Sequence, residues 1–173
     1  MKNLFILFLL TYSLQSSQLK PLEYVNVQKF SGLWYEIART YNYYQRRCVG
    51  SSVEYILTPE QEYDVYNRCF DTTLDGKLIE YNGSAKGAKE KENVSTLDMT
   101  YFWIFTKHYY VYFFADDFNT AVVADDKLDN LWIMSRTPQI SKQKLQNILA
   151  LLKDNMDLKR LIYTPQDKQG RYK

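Results

Sequence analysis

Over most of this chain, bulky apolar and polar side chains alternate in short runs separated by turn residues, the period of half-buried strands. FSGLWYEIART (Phe30 to Thr40) opens the series after an extended segment, PLEYVNVQKF. SSVEYILTPEQEYDVYNR follows, and reads as a hairpin turning at Pro59 to Glu62. In LDGKLIEYNGSAKG, an Asp-Gly turn at Asp75–Gly76 precedes a strand, and Asn82–Gly83 gives a second turn signal. Further strands are expected over Ser95–Phe105, Tyr109–Ala115, Thr120–Asp126 and Asn130–Thr137, with His108 in a turn, TKHYY. Short connections between them predict an all-β antiparallel meander or sandwich rather than alternating βα units.

One segment breaks the period of two. In SKQKLQNILALLKDN (Ser141 to Asn155), Leu145, Ile148, Leu149 and Leu152 recur at helical spacing behind a Ser141 N-cap. This helix needs a wall to lie on. LKRLIYTPQ suggests a late edge strand, and residues 167–173 a loose polar tail. No second domain or repeat is visible.

Composition sharpens this picture. The chain has 173 residues, 46% hydrophobic and 16% aromatic, with 16 tyrosines, which suits one packed β-rich domain. A net charge of +2 with scattered basic residues gives no stripe for nucleic acid. Residues 1–17 read as a signal peptide: Lys2, an apolar run Leu4 to Leu10, then small residues near Ser16 and Ser17. That predicts export, to a bacterial periplasm or the extracellular space. No cysteine follows the apolar run, so a lipid anchor is not expected.

Cys48 and Cys69 flank the first hairpin and fall almost opposite each other if it turns as expected. An oxidised pair fits an exported chain, the alternative being two buried thiols. With no CxxC pair and a single histidine, a zinc site is not indicated. The same lone histidine leaves a hydrolytic triad one possible base, and the adjacent acids Asp116–Asp117 and Asp125–Asp126 read as solvated turn residues. No cofactor is implied. Asn82 and Asn93 stand in glycosylation sequons that matter only in a eukaryotic secretory pathway.

FSGLWYEIART, ADDFNTAVVADD and LWIMSRTPQIS, in that order around one helix, resemble the three motifs of the lipocalin family, closest to its bacterial lipocalin and apolipoprotein D-like subgroup. The likeness runs over residues 24–166. Ala115 stands where the middle motif usually has an aspartate. The resemblance implies an eight-stranded antiparallel up-and-down β-barrel with one C-terminal helix packed outside. In it, Gly32, Trp34 and Arg136 close one end, the guanidinium lying across the indole.

With the floor closed, alternation assigns the walls. Glu54 and Asp98 face solvent, so Val53, Tyr55, Val65, Asn67, Met99, Tyr101 and Trp103 face inward as candidate ligand contacts. Tyr112 is added from the run Tyr110, Tyr112, Phe114, whose inner face alternation leaves open. The loop TYNYYQRR crosses the mouth, either with Tyr41, Tyr43 and Tyr44 as a lid and Arg46 and Arg47 available to an anionic head group, or as an exposed aromatic loop kept soluble by its basic residues. The expected function is to carry or store a small hydrophobic ligand, a fatty acid or lysophospholipid foremost, as monomer or homodimer, with transient membrane contact allowed. An interaction module with a filled barrel, or a lipocalin-like enzyme, are the alternatives.

Overall fold

The computed structural model describes residues 18–101 and 104–168. Residues 1–17, read above as a signal peptide, Trp103 and all but the first two residues of the expected tail lie outside the described residues.

Among the described residues, nine strands form one antiparallel sheet: β1 (Gly32–Arg39), β2 (Cys48–Leu57), β3 (Tyr63–Asp71), β4 (Leu78–Gly87), β5 (Thr96–Tyr101), β6 (Phe105–Phe114), β7 (Thr120–Ala124), β8 (Leu131–Ser135) and β9 (Ile162–Tyr163). Successive strands from β1 to β8 are neighbours, and β8 returns to pair with β1, closing an eight-stranded barrel. β9 is the extra strand. It lies against the upper part of β1, where β1 has parted from β2.

A helical turn, α1 (Val27–Phe30), capped by the Asn26 side chain, crosses the bottom of the barrel where the sequence suggested extended chain. Helix α2 (Lys142–Leu152) has its Ser141 cap, whose hydroxyl accepts from the Lys144 amide. Ile148 and Leu152 are buried on the outer wall against Ala38, Val122, Leu131 and Ile133. There are thus two apolar clusters, one inside the barrel and one between wall and helix.

Two turn expectations differ from the structure. Asn82–Gly83 lies inside β4, and the chain turns only after Gly87. A Cβ on Gly83 would stand 2.9 Å from the Tyr101 ring and 2.6 Å from the Thr100 carbonyl oxygen, so the glycine admits a neighbouring ring instead of a turn. His108 lies within β6, paired with Asp98 on the outer face, and the connection falls between Tyr101 and Phe105. The turn before β7 forms despite Ala115, with Phe118 in a left-handed conformation at φ 57°.

Candidate functional site

Gly32 is at φ +94°, a conformation other residues rarely adopt, and a Cβ there would approach the Arg136 guanidinium to 3.3 Å. That opening lets Arg136 lie 3.6 Å from the centroid of the fully buried Trp34 ring. The guanidinium also donates to the Leu33, Lys29 and Phe30 carbonyls, at 3.0, 2.9 and 3.2 Å. The indole N–H donates to Phe30 as well. Burial lowers the Arg136 pKa to about 10, an effect partly opposed by the Tyr63 phenol. Phe30, Tyr55, Tyr63 and Phe114 pack around Trp34, with ring centroids 5.3–6.1 Å apart, and complete the floor.

Above the floor the barrel is not filled. A cavity of about 250 Å³ opens between the walls, lined mainly by apolar and aromatic groups. Val53, Tyr55, Asn67, Met99 and Tyr101 line it, as alternation indicated. Leu97, Tyr109, Val123, Trp132 and Met134 join them. The Asn67 amide donates to the Tyr101 hydroxyl at 3.1 Å, a reach made possible by the bare Gly83 backbone beneath the Tyr101 ring. Burial pushes the Tyr101 phenol up to about 12, this hydrogen bond pulling the other way.

Two candidates lie elsewhere. Val65 is fully buried in the packed interior and does not border the cavity, because Tyr55 and Tyr63 cover that level of β3. Tyr112 belongs to the outer cluster beside α2. A register shift between Val111 and Phe113 breaks the alternation of β6, so Tyr109, Val111 and Phe114 turn inward while Tyr112 and Phe113 turn out.

Polar chemistry that alternation did not anticipate sits near the mouth. Glu36 faces inward, opposite Met134, and a second register shift, between Glu36 and Ala38, sets Arg39 on the inner face as well, opposite Trp132. Both are almost wholly buried, with Arg39 Nε 3.2 Å from Glu36 Oε1. Isolated in an apolar barrel this pair would be costly, and neighbouring groups offset the penalty. The Gln45 amide donates to Glu36 at 2.8 Å and accepts from the Trp132 indole at 2.9 Å. Its backbone carbonyl accepts from Arg39 at 2.8 Å. Thr164, next to β9, donates to the other Glu36 oxygen. Burial still raises the Glu36 pKa, against the pull of Thr164, Arg39 and Gln45.

Gln45 thereby pins the mouth loop. Asn42 and Tyr44 from the same loop border the cavity, while Tyr41, Tyr43 and Tyr44 are largely exposed. Arg46 stacks on Tyr43 at 4.2 Å and Arg47 pairs with Asp71 at 2.7 Å, so both are engaged at the rim. Two cations border the cavity: Arg68, paired with Glu54 and Glu80 at 2.8 Å, and Lys107, opposite Met99 on β6, which has no acidic partner among the described residues. Cys48 and Cys69 are joined in a disulfide across a separation of 21 residues, on the same wall. Among the described residues no group of three or more His, Cys, Asp or Glu side chains is placed to hold a metal.

A family model described as a lipocalin-like domain matches residues 25–166, the span that holds floor, cavity and mouth. The chain is a lipocalin. Temperature-induced lipocalin-1 of Arabidopsis thaliana is 26% identical, over 88% of this chain and 85% of its own. The outer membrane lipoprotein Blc of Vibrio cholerae is 26% identical over 85% and 86%, and that of Escherichia coli K12 28% over 82% and 79%. Among solved structures, insecticyanin from the tobacco hornworm Manduca sexta superposes with a TM-score of 0.70 at 18% identity, covering 87% of this lipocalin and 86% of that chain. Lobster apocrustacyanin A1 gives 0.63 at 23% identity, with 81% and 79% covered. These last two likenesses concern the fold.

Proposed function

We propose that this lipocalin is exported and carries or stores a single-chain amphiphile, a fatty acid or a lysophospholipid, with its tail in the barrel and its head near the mouth. The observation that carries the reading is the half-filled barrel. The Trp34–Arg136 floor stops water at one end, and an apolar cavity stays open toward the other. Each CH₂ group moved there from water contributes about 0.8 kcal/mol, ample for micromolar binding by a long chain. Lys107, free of acidic partners among the described residues, suits a carboxylate or phosphate at the rim. Membership of a family whose relatives include Blc lipoproteins supports a hydrophobic cargo.

The rim itself favours loading from a lipid surface. Ile104 and Phe105 are 75% and 63% exposed beside the mouth, and Tyr41, Tyr43 and Tyr44 stand on the β1–β2 loop. Such apolar and amphipathic groups suit brief contact with a bilayer interface. The cavity tells against a barrel that serves only as an interaction module. The disulfide and the sequence of residues 1–17 support export.

Tryptophan fluorescence tests the reading, because the Trp132 ring lines the cavity. Titration with oleate or lysophosphatidylcholine should give a saturable, one-to-one change that is lost in Trp132→Phe. No response across fatty acids, lysophospholipids and sterols, with the native lipid extracted first, would remove the carrier function.

A further inference from the structure

Inside the barrel, three aromatic donors have fixed partners. The Tyr63 hydroxyl donates to the Val27 carbonyl, the Trp34 indole to Phe30 and the Trp132 indole to Gln45. Tyr55 and Tyr109 differ. They are 5% and 7% exposed and border the cavity, yet among the described residues neither hydroxyl has a hydrogen-bond partner. Tyr101 borders the same space, and its oxygen accepts from Asn67 while its own proton stays available. The three rings come from β2, β5 and β6, so the grouping is made by the tertiary fold. They are near enough to interact electrostatically. After burial, the Tyr101, Tyr63 and Tyr109 phenols are what hold the Tyr55 hydroxyl well above its ordinary pKa.

A purely hydrocarbon chain is a poor occupant of such a space. It would displace water from these hydroxyls without replacing the hydrogen bonds, leaving buried donors bare. We propose that the Tyr55, Tyr101 and Tyr109 hydroxyls form a site for an oxygen borne along the ligand's chain, so that the preferred cargo is an oxygenated long-chain acid with a hydroxyl or keto group below its head. This rests on the carrier reading above and narrows its ligand class. A keto oxygen accepts from two phenols, and a hydroxyl accepts from one while donating to another. Tyr109 lies two residues below Lys107 on the same inner face of β6, so head and chain oxygen meet successive polar groups on the way down.

The test is a competition series on the intact protein, stripped of lipid, with stearate, hydroxystearates and ketostearates differing in oxygen position, methyl stearate and stearoyl lysophosphatidylcholine. One oxygen position should bind about tenfold or more tighter than stearate, since a site built to hydrogen-bond a group discriminates against its absence. In Tyr55→Phe/Tyr109→Phe that preference over stearate should vanish. Equal binding of stearate and every oxygenated acid would overturn the inference and leave the carrier reading standing. So would a tightest ligand whose oxygens all lie at the head. The wild-type positional series decides these outcomes even if the double variant fails to fold. No binding by any of the compounds would overturn the carrier function itself.

Discussion

The Tyr101 ring lies across Gly83, its edge at 2.9 Å from where a β-carbon would stand, and its hydroxyl reaches Asn67 on the strand beyond. A residue type that usually weakens a strand here gives an aromatic side chain passage across two strands. The upper chamber thus owes part of its polar character to a missing side chain, as its floor owes Arg136 to Gly32.

Arg136→Met should cost about 3 kcal/mol in urea unfolding. It removes the guanidinium–indole contact and leaves the Leu33, Lys29 and Phe30 carbonyls without their donor. Arg136→Lys should recover only a part, since an ammonium cannot stack on the ring and fork to three carbonyls together. Equal stability of wild type and Arg136→Met would show that the floor closes without it.

Alkaline unfolding should begin near the ordinary tyrosine pKa. Burial, the leading cause in each case, raises the Tyr55, Tyr63, Tyr101 and Tyr109 phenols above the unfolded value of 10.0, Tyr101 to about 12. Below pH 10 both states keep these protons and stability is whole. Above it the unfolded chain ionises first, and each phenol withdraws about 1.4 kcal/mol per pH unit until its folded pKa is reached. Arg136, lowered by burial, acts in the opposite sense over that window. Urea midpoints measured from pH 8 to 11 should be flat and then fall, with a shallower fall in Tyr101→Phe.

Gln45→Ala should speed ligand exchange more than it harms the fold. The side chain links Glu36 to Trp132 and holds the mouth loop on the wall. A stability loss of about 1–2 kcal/mol is expected from the lost hydrogen bonds. Stopped-flow displacement of a fluorescent fatty acid should show release several-fold faster. Release at the wild-type rate would mean that the loop does not gate the cavity.

Opening the Cys48–Cys69 bond by Cys48→Ser/Cys69→Ser should lower stability by about 3 kcal/mol, the chain-entropy value for a loop of this size. Since both residues border the cavity, ligand affinity should fall as well, and isothermal titration would register it.

Alternation and motif order gave the barrel, its helix and much of the chamber, because a closed sheet with one buried face keeps strict parity along most strands. Parity failed where strands are bulged. One register shift sent Tyr112 to the outside, and another brought Arg39 in beside Glu36. A period-two count cannot foresee either shift. Glu36 carried one legible signal: it shares the parity of Trp34 on β1. Its partners Gln45 and Thr164 are remote in sequence and meet only in the fold. Lys107 was hidden by the assignment of its neighbourhood to a turn, and Asn82–Gly83 by turn statistics that say nothing of a ring requiring space.

Where β1 parts from β2 above Tyr35, the seam is made good by the chain's last described stretch. The Thr164 amide bonds to Ile37, the Pro165 carbonyl accepts from Gly50, and the Gln166 side chain bridges Glu36 and Ser51. The vessel is therefore caulked by a segment that follows every stave in chain order, so the seam beside Glu36 can be sealed only once residues 164–166 have been added.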